Sequence, residues 1–244
     1  MSAGRKFSYR GLKILGFSLL LALSPAALAQ KTGFSVSAGV ASQRMDDLKY
    51  IQEYILSTYP VEGRITSSFP PFSRASFHLV RQWYDHLQFG GGYTFSTTGA
   101  KSSYADYTGI ISTEISPTSH RLGGFVSYSL LGREHMGIFL YGRADVNLST
   151  VSIESAVNLL GRISRIRNQY RSISPSGTAG IELMYKFEGF ALGLDAGYLV
   201  DLQGSLRGTD GDADLTDPFD RNRVLTSDWT GWHVGIRARV WLKL

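Results

Sequence analysis

Few side chains in this 244-residue chain have the types and spacing to do chemistry. It has no cysteine, so disulfides, thiolate metal sites and thiol nucleophiles are excluded together. Of its five histidines, His78 and His233 stand on segments of alternating polarity, with Ser76 two residues before His78. A metal or acid–base site at these rings requires a third ligand or a converging carboxylate. Residues 210–214 read Asp-Gly-Asp-Ala-Asp, which makes Asp210, Asp212 and Asp214 candidate calcium ligands. An EF-hand loop started at Asp210 needs Gly at its sixth position and Glu at its twelfth, where Leu215 and Arg221 stand. The segment therefore reads first as a solvated acidic loop. Its electrostatic opposite is the stretch carrying Arg162, Arg165, Arg167 and Arg171, which either binds an anion or partner or pairs with that acidic loop. A last set is the most regular: Arg143, Asp145, Glu182, Lys186, Asp195, Asp201, His233, Arg237 and Arg239 recur on one parity of segments whose other parity is apolar.

Such a pattern is what strands of period two produce. From Trp232 onward, Trp232, Val234, Ile236, Ala238, Val240 and Leu242 alternate with His233, Gly235, Arg237, Arg239, Trp241 and Lys243. Residues 190–203 and 172–187 alternate likewise, and only Glu188-Gly189 separates them, which reads as a two-residue hairpin turn. Residues 137–152, 120–131, 87–98, 75–84 and 33–41 supply five more strands, the 75–84 strand marred by Arg81 on the face of Phe77, Leu79 and Trp83. The short connections fall near 85–86, 132–136 and 188–189, and the long ones near 43–73, 99–117, 154–170 and 207–228. Strict alternation of short and long connections places all turns at one end of an antiparallel sheet and all loops at the other. In the first loop Met45, Leu48, Ile51 and Ile55 recur at helical spacing, with Phe69-Pro70-Pro71-Phe72 to end any helix and lead back to the sheet.

The charged face decides the architecture. A soluble sandwich turns its apolar face to a dry core and the other to water; a closed barrel in lipid does the reverse. Pooled carboxylates and guanidinium groups that recur at every level of the strands fit a lumen, where they can pair, around which the apolar face meets hydrocarbon. Aromatics near the strand ends suit interfacial girdles: Trp83, Tyr84, Tyr185, Phe187, Phe190 and Trp241 at the turn end, and Tyr93, Phe95, Tyr198, Trp229 and Trp232 at the other.

Export is legible at the start of the chain. Arg5, Lys6, Arg10 and Lys13 precede an apolar run from Ile14 to Leu23 and the small residues Ala27-Leu28-Ala29, the order of a cleavable signal peptide over residues 1–29. The run is shorter than the roughly 20 residues that a spanning helix needs. Removing it leaves 21 Lys and Arg of the original 25 against 20 Asp and Glu, so residues 30–244 give no basis for a nucleic-acid binder.

The whole pattern resembles the superfamily of small bacterial outer-membrane β-barrel proteins. The resemblance implies an all-β, eight-stranded antiparallel transmembrane barrel over residues 30–244, with short periplasmic turns, long external loops and a partly helical first loop. It implies as partners the outer-membrane lipids and lipopolysaccharide, the barrel-assembly machinery during biogenesis, and a protein partner at the external loops. Arg162, Arg165 and Arg167 are then the candidates for lipopolysaccharide phosphates. Such proteins usually finish on an aromatic residue; here the final residues are Trp241-Leu242-Lys243-Leu244, which keep the alternation and lack that aromatic. Enzymes of this superfamily offer a check. The lipid A deacylase type carries a His-x-Ser pair, and none of His78, His86, His120, His135 or His233 is followed by serine two residues on. The protease type uses paired Asp and His at the external rim, whereas Asp85-His86 lies in a turn of the opposite end. The expected function is therefore a structural or surface-binding role carried by the external loops, without cofactor, with a barrel enzyme or a narrow channel as the alternative. An eight-stranded barrel is just wide enough for side chains to fill, so the lumen charges are expected to form a salt-bridged plug.

Overall fold

The computed structural model describes residues 31–58, 64–105, 109–132, 135–159, 162–209 and 213–242, without the side chains of Leu159 and Arg162. The expected signal peptide lies outside them. Strands run over β1 (Thr32–Gln43), β2 (Arg64–Ser68), β3 (Phe72–Tyr84), β4 (Leu87–Thr97), β5 (Ala100–Ala105), β6 (Gly109–Gly132), β7 (Met136–Leu159), β8 (Arg162–Lys186) and β9 (Phe190–Asp201). The short strands β10 (Gly204–Ser205), β11 (Arg207–Gly208) and β12 (Thr226–Ser227) precede β13 (Gly231–Trp241), and helix α1 (Asp46–Ser57) follows β1.

Eight of these strands close a ring of antiparallel pairs in the order β1-β3-β4-β6-β7-β8-β9-β13, with β13 returning to β1 from Gly33↔Trp241 to Gln43↔Gly231. Every edge within the ring is thereby consumed, which removes the exposed hydrogen-bonding groups that an open sheet presents. The alternation read from sequence holds on all eight strands: Val36, Leu79, Tyr93, Val126, Leu140, Ile181, Leu194 and Ile236 are exposed, whereas Ser35, His78, Thr94, Ser127, Arg143, Glu182, Asp195 and Arg237 are buried. Turning the apolar side chains outward around a polar interior is the arrangement of a barrel solvated by hydrocarbon. Among the described residues no helix is long and apolar enough to cross a membrane.

The turns behave as their sequences dictate. Glu188 and Gly189 close the β8–β9 hairpin, where Phe187 N–H donates to the Phe190 carbonyl at 2.8 Å and Gly189 takes the positive φ of 83° that a side chain disfavours.

The opposite end departs from expectation. The second and third connections are mostly not loops: β6, β7 and β8 have 24, 24 and 25 residues and run on far past the closed ring. Their outer portions pair continuously from Gly109↔Leu159 inward and from Leu159↔Arg162 inward, and β5, then β2, add to the free side of β6. The sequence conceals this because the apolar parity changes. On β7 Met136, Leu140, Val146 and Leu148 are exposed, but the next large apolar residues, Val151 and Ile153, are buried on the other face. The same exchange occurs on β8, between exposed Ile173 and buried Tyr170. No bulge accompanies it, since the β7–β8 register is continuous. What changes is the surroundings: below the exchange the outside is apolar, and above it the inside is.

Candidate functional site

The lumen is filled by a ladder of charged groups projecting from facing strands. At its lower end Glu182 of β8 accepts from Arg237 and, at 2.8 Å, from Arg239, both of β13; the second Arg239 nitrogen donates to Gln88 of β4 at 2.6 Å. Asp195 of β9 is the next anion, with Arg74 at 3.3 Å, Arg237 at 3.5 Å and His233 at 3.6 Å from its Oδ2. Arg143 meets Asp145, two residues along the same strand β7, at 2.7 Å, and reaches Thr94 of β4 at 3.0 Å and His78 Nε2 of β3 at 2.6 Å. A guanidinium only donates, so that last contact uses His78 Nε2 as acceptor. His233 Nε2 shares a hydrogen bond of 2.9 Å with the Tyr141 hydroxyl. Room for both rings comes from glycines on neighbouring strands: a Cβ at Gly92 would strike the His78 ring, and one at Gly197 would stand 2.7 Å from the Tyr141 hydroxyl and 2.8 Å from His233 Cε1. Near the upper end Asp201 accepts from Ser174 at 2.5 Å, Asn147 at 3.3 Å and the Trp229 backbone N–H at 3.2 Å.

Buried in this interior are Arg74, Arg121, Arg143, Arg237 and Arg239 against Asp145, Glu182, Asp195 and Asp201, close to neutral as a set. Isolated, each would be costly in a low-dielectric interior; the pairs of Arg74 with Asp195 and of Arg237 and Arg239 with Glu182 tie together strands that are not neighbours in the ring, Arg143 and Asp145 pair within β7, and Arg121 and Asp201 are held by hydrogen bonds to neutral groups. Sequence reading names most of these groups but omits Arg74 and Arg121. Arg74 lies just before the alternation becomes clear at 75–84, and Arg121, which donates to Ser96 at 3.2 Å, occupies the polar parity of a strand recognised by its apolar one. Lys186 stands apart from the expected network: it is half-buried at the lower mouth, lining a cavity of about 740 Å³ with Lys31, Gln82, Asp85 and Trp241. Trp241 therefore belongs to this mouth and to Arg239, whose guanidinium carbon lies 5.8 Å from its ring centroid, and not to an outer girdle.

Above the charges the interior turns apolar. Met45, Leu48, Phe72, Ile115, Val151, Ile153, Tyr170, Leu199, Leu206, Leu225 and Trp229 form one buried cluster, built by α1 and the last connection packing inside the extended strands. Trp229, expected in the girdle, is instead fully buried at the centre of this cap; its indole N–H donates to Ser149 at 2.8 Å and its ring meets Phe72 edge-on at 6.0 Å. Met45 starts α1 in the left-handed region with φ of 50°, a cost of order 1 kcal/mol offset by complete burial of its side chain. The helix is fastened on both sides. Asp47 accepts from Arg223 at 2.6 Å and from the Thr226 N–H and hydroxyl, both at 2.8 Å, while Gln52 donates to the Ser67 carbonyl at 2.8 Å and to Ser102 at 3.1 Å.

The acidic segment does not pair with the third-loop arginines among the described residues. Asp217 accepts from Phe219 N–H at 2.9 Å, Arg223 at 3.2 Å and Tyr50 at 3.2 Å, and these bonds hold its carboxyl below the usual range, the backbone donor first. Burial and then the nearby Asp217 charge push the Tyr50 phenol up. Asp220 accepts from Asn222 N–H at 3.1 Å, and Asp214 from Gly208 N–H at 3.2 Å. Asp210 and Asp212 lie outside the described residues. Arg165, Arg167 and Arg171 are exposed on one face of β8, with Arg167 donating to Ser152 at 3.0 Å; Arg162 is in β8, but its side chain is outside the described set.

No protein-family profile matches the chain, and no curated protein matches it in sequence. Among solved structures it is similar to Neisserial surface protein A, with 11% identity over 86% of this chain and 96% of that one and a TM-score of 0.44. It is also similar to the attachment invasion locus protein of Yersinia pestis, with 10% identity, 87% and 97% coverage and a TM-score of 0.37. An outer-membrane channel from Pseudomonas putida F1 is similar at 9% identity, 87% and 96% coverage and a TM-score of 0.26. At these similarities the closed eight-strand ring rests on its own pairing registers.

Proposed function

We propose that this chain is an integral protein of the bacterial outer membrane that forms no pore, and that it acts as a non-catalytic surface protein through its external extension. The supporting observation is the double obstruction of the barrel axis: ion pairs fill the lumen across the strands, and the apolar cap around Trp229 closes the mouth above them. An eight-stranded wall leaves little spare interior, and here its side chains bind one another. Both histidines that could serve catalysis are buried and bonded to Arg143 and Tyr141.

The wall also supports membrane insertion. On β8 the exposed apolar parity extends from Tyr185 to Ile173, about twelve residues at ~3.3 Å each. At a strand tilt of about 45° this gives a belt roughly 28 Å tall, close to the ~25 Å of membrane barrels. The parity exchange on β7 and β8 then marks the external membrane boundary, and the hairpin beyond it, with the cap, stands in water.

Two measurements test this reading. The purified protein is expected to migrate heat-modifiably in detergent gels and to fractionate with the outer membrane; a water-soluble folded monomer overturns insertion. In planar bilayers it is expected to give no current steps above leak, and regular steps would replace the sealed barrel by a channel.

A further inference from the structure

The outer face of β8 changes character beyond Ile173, from an apolar stretch to a polar one that runs to Arg165 before exposed Ile163. Reading away from the lower end, its outward positions are apolar up to Ile173, which is 70% exposed, and then become Arg171, Gln169, Arg167 and Arg165. Arg171 lies directly opposite Arg207 in the β8–β11 register. Opposed residues of antiparallel strands bring their Cβ atoms about 4.5–5.5 Å apart on one face, where like charges destabilise the pair. Both arginines are exposed, and among the described residues neither has a carboxylate within ion-pair distance. Among the described residues the acids of the same connection have other partners: Asp214 accepts from the Gly208 N–H, and Asp217 from Arg223 and Tyr50. Across the β7–β8 register Arg167 stands opposite Glu154, whereas Arg165 stands opposite Ala156 and Arg171 opposite Thr150, so at the apolar border the residue that Arg171 faces on its other side is the like-charged Arg207. Leu202 and Trp232, exposed on neighbouring parts of the wall, continue that border.

We infer that Arg171 and Arg207 together clamp a phosphate of the outer-leaflet glycolipid, lipopolysaccharide, with Arg167 and Arg165 reaching further phosphates of the same headgroup. This rests on the proposed membrane insertion with the cap outward. Two planar guanidinium forks on one face satisfy the oxygens of one phosphate, and the anion removes their mutual repulsion. Their height selects a lipid over a soluble anion: acyl chains lying along Ile173 place the headgroup at Arg171.

The test uses the full barrel in neutral-lipid nanodiscs with four probes: bisphosphorylated lipid A, the same lipid dephosphorylated, phosphatidylglycerol and inorganic phosphate. The wild type is expected to bind bisphosphorylated lipid A at least about tenfold more tightly than any other probe, less so at high salt. R171Q/R207Q is expected to lose that preference about tenfold while retaining heat-modifiable migration, and R165Q to lose about twofold. R171K/R207K, which keeps charge without the fork, is expected to fall between and covers a folding failure of the glutamine pair. Equal binding of dephosphorylated lipid A, of phosphatidylglycerol or of inorganic phosphate overturns the inference, as does an unchanged preference in a folded R171Q/R207Q. Failure of the insertion reading shows separately, as loss of heat-modifiable migration in the wild type.

Discussion

The lumen and the external cap both bury side chains, by opposite chemistry. Around Glu182 and Asp195 the interior is charged and the exterior apolar, whereas around Leu48 and Trp229 the interior is apolar and the exterior polar. The strands β7 and β8 pass through both without a bulge. One continuous ladder thus carries two opposite polarity patterns, and the hydrogen bonds of the backbone are indifferent to which face is apolar. The difference teaches that wall and cap should fail separately: the wall through unpaired charge, the cap through lost packing.

The sharpest break of the comparison is Glu182→Ala. It leaves Arg237 and Arg239 buried without their shared carboxylate and is expected to cost about 4 kcal/mol, read as a lower urea midpoint for unfolding from lipid, with the whole barrel affected. Next comes Trp229→Ala, expected to cost about 3 kcal/mol but locally. Proteolysis should begin within α1 and residues 213–226 while heat-modifiable migration of the ring persists; loss of the ring as well would show that the two regions are one cooperative unit. Asp47→Ala removes the bonds to Arg223 and Thr226 and should loosen the same segment by about 1–2 kcal/mol in a protease assay. The smallest effect is a pH dependence confined to the cap. The Asp217 carboxyl is held below its ordinary value near 3.8, so its contribution is complete above that value and disappears as pH falls through the lower, folded one. Tyr50, raised above 10.0, contributes fully below that value and loses its bond as pH rises through the higher one. Cap proteolysis should therefore be flat from pH 5 to 9 and rise outside it, with the wall unaffected at the alkaline end.

The same contrast explains what the sequence disclosed. Eight strands were legible because between Ile173 and Tyr185, or Trp232 and Val240, one parity is apolar throughout and the other carries the charges. The outer halves of β6, β7 and β8 were not, because at Leu148 and Val151 the apolar residues exchange faces, and a parity break reads as the end of a strand. Polarity patterns report the solvent as much as the backbone. The lumen charges were visible by type, but their partners were not: Arg237 reaching Glu182 or Arg74 reaching Asp195 is a contact across a closed cylinder, which no spacing along the chain encodes. Trp229 in the cap and Trp241 at the lower mouth depart from the expected girdles for a related reason, since an aromatic near a strand end fits a girdle, a plug or a mouth equally well. The arginines of 162–171 stand out as a basic cluster; that Arg171 faces Arg207 depends on a two-residue strand that no local pattern announces.

The seam where β13 meets β1 carries a kinetic consequence. The ring is completed by pairing segments ~200 residues apart, a closure that costs an unfolded chain on the order of 5 kcal/mol in entropy before any contact returns it. Until the last strand arrives, β1 and whichever strand was most recently added present bare hydrogen-bonding edges, which in lipid are intolerable and in water are templates for aggregation. Folding of this barrel is accordingly all or nothing with respect to the chain's far end: a product interrupted before Gly231 would hold every lumen charge except those of β13 and still have no stable form in either solvent.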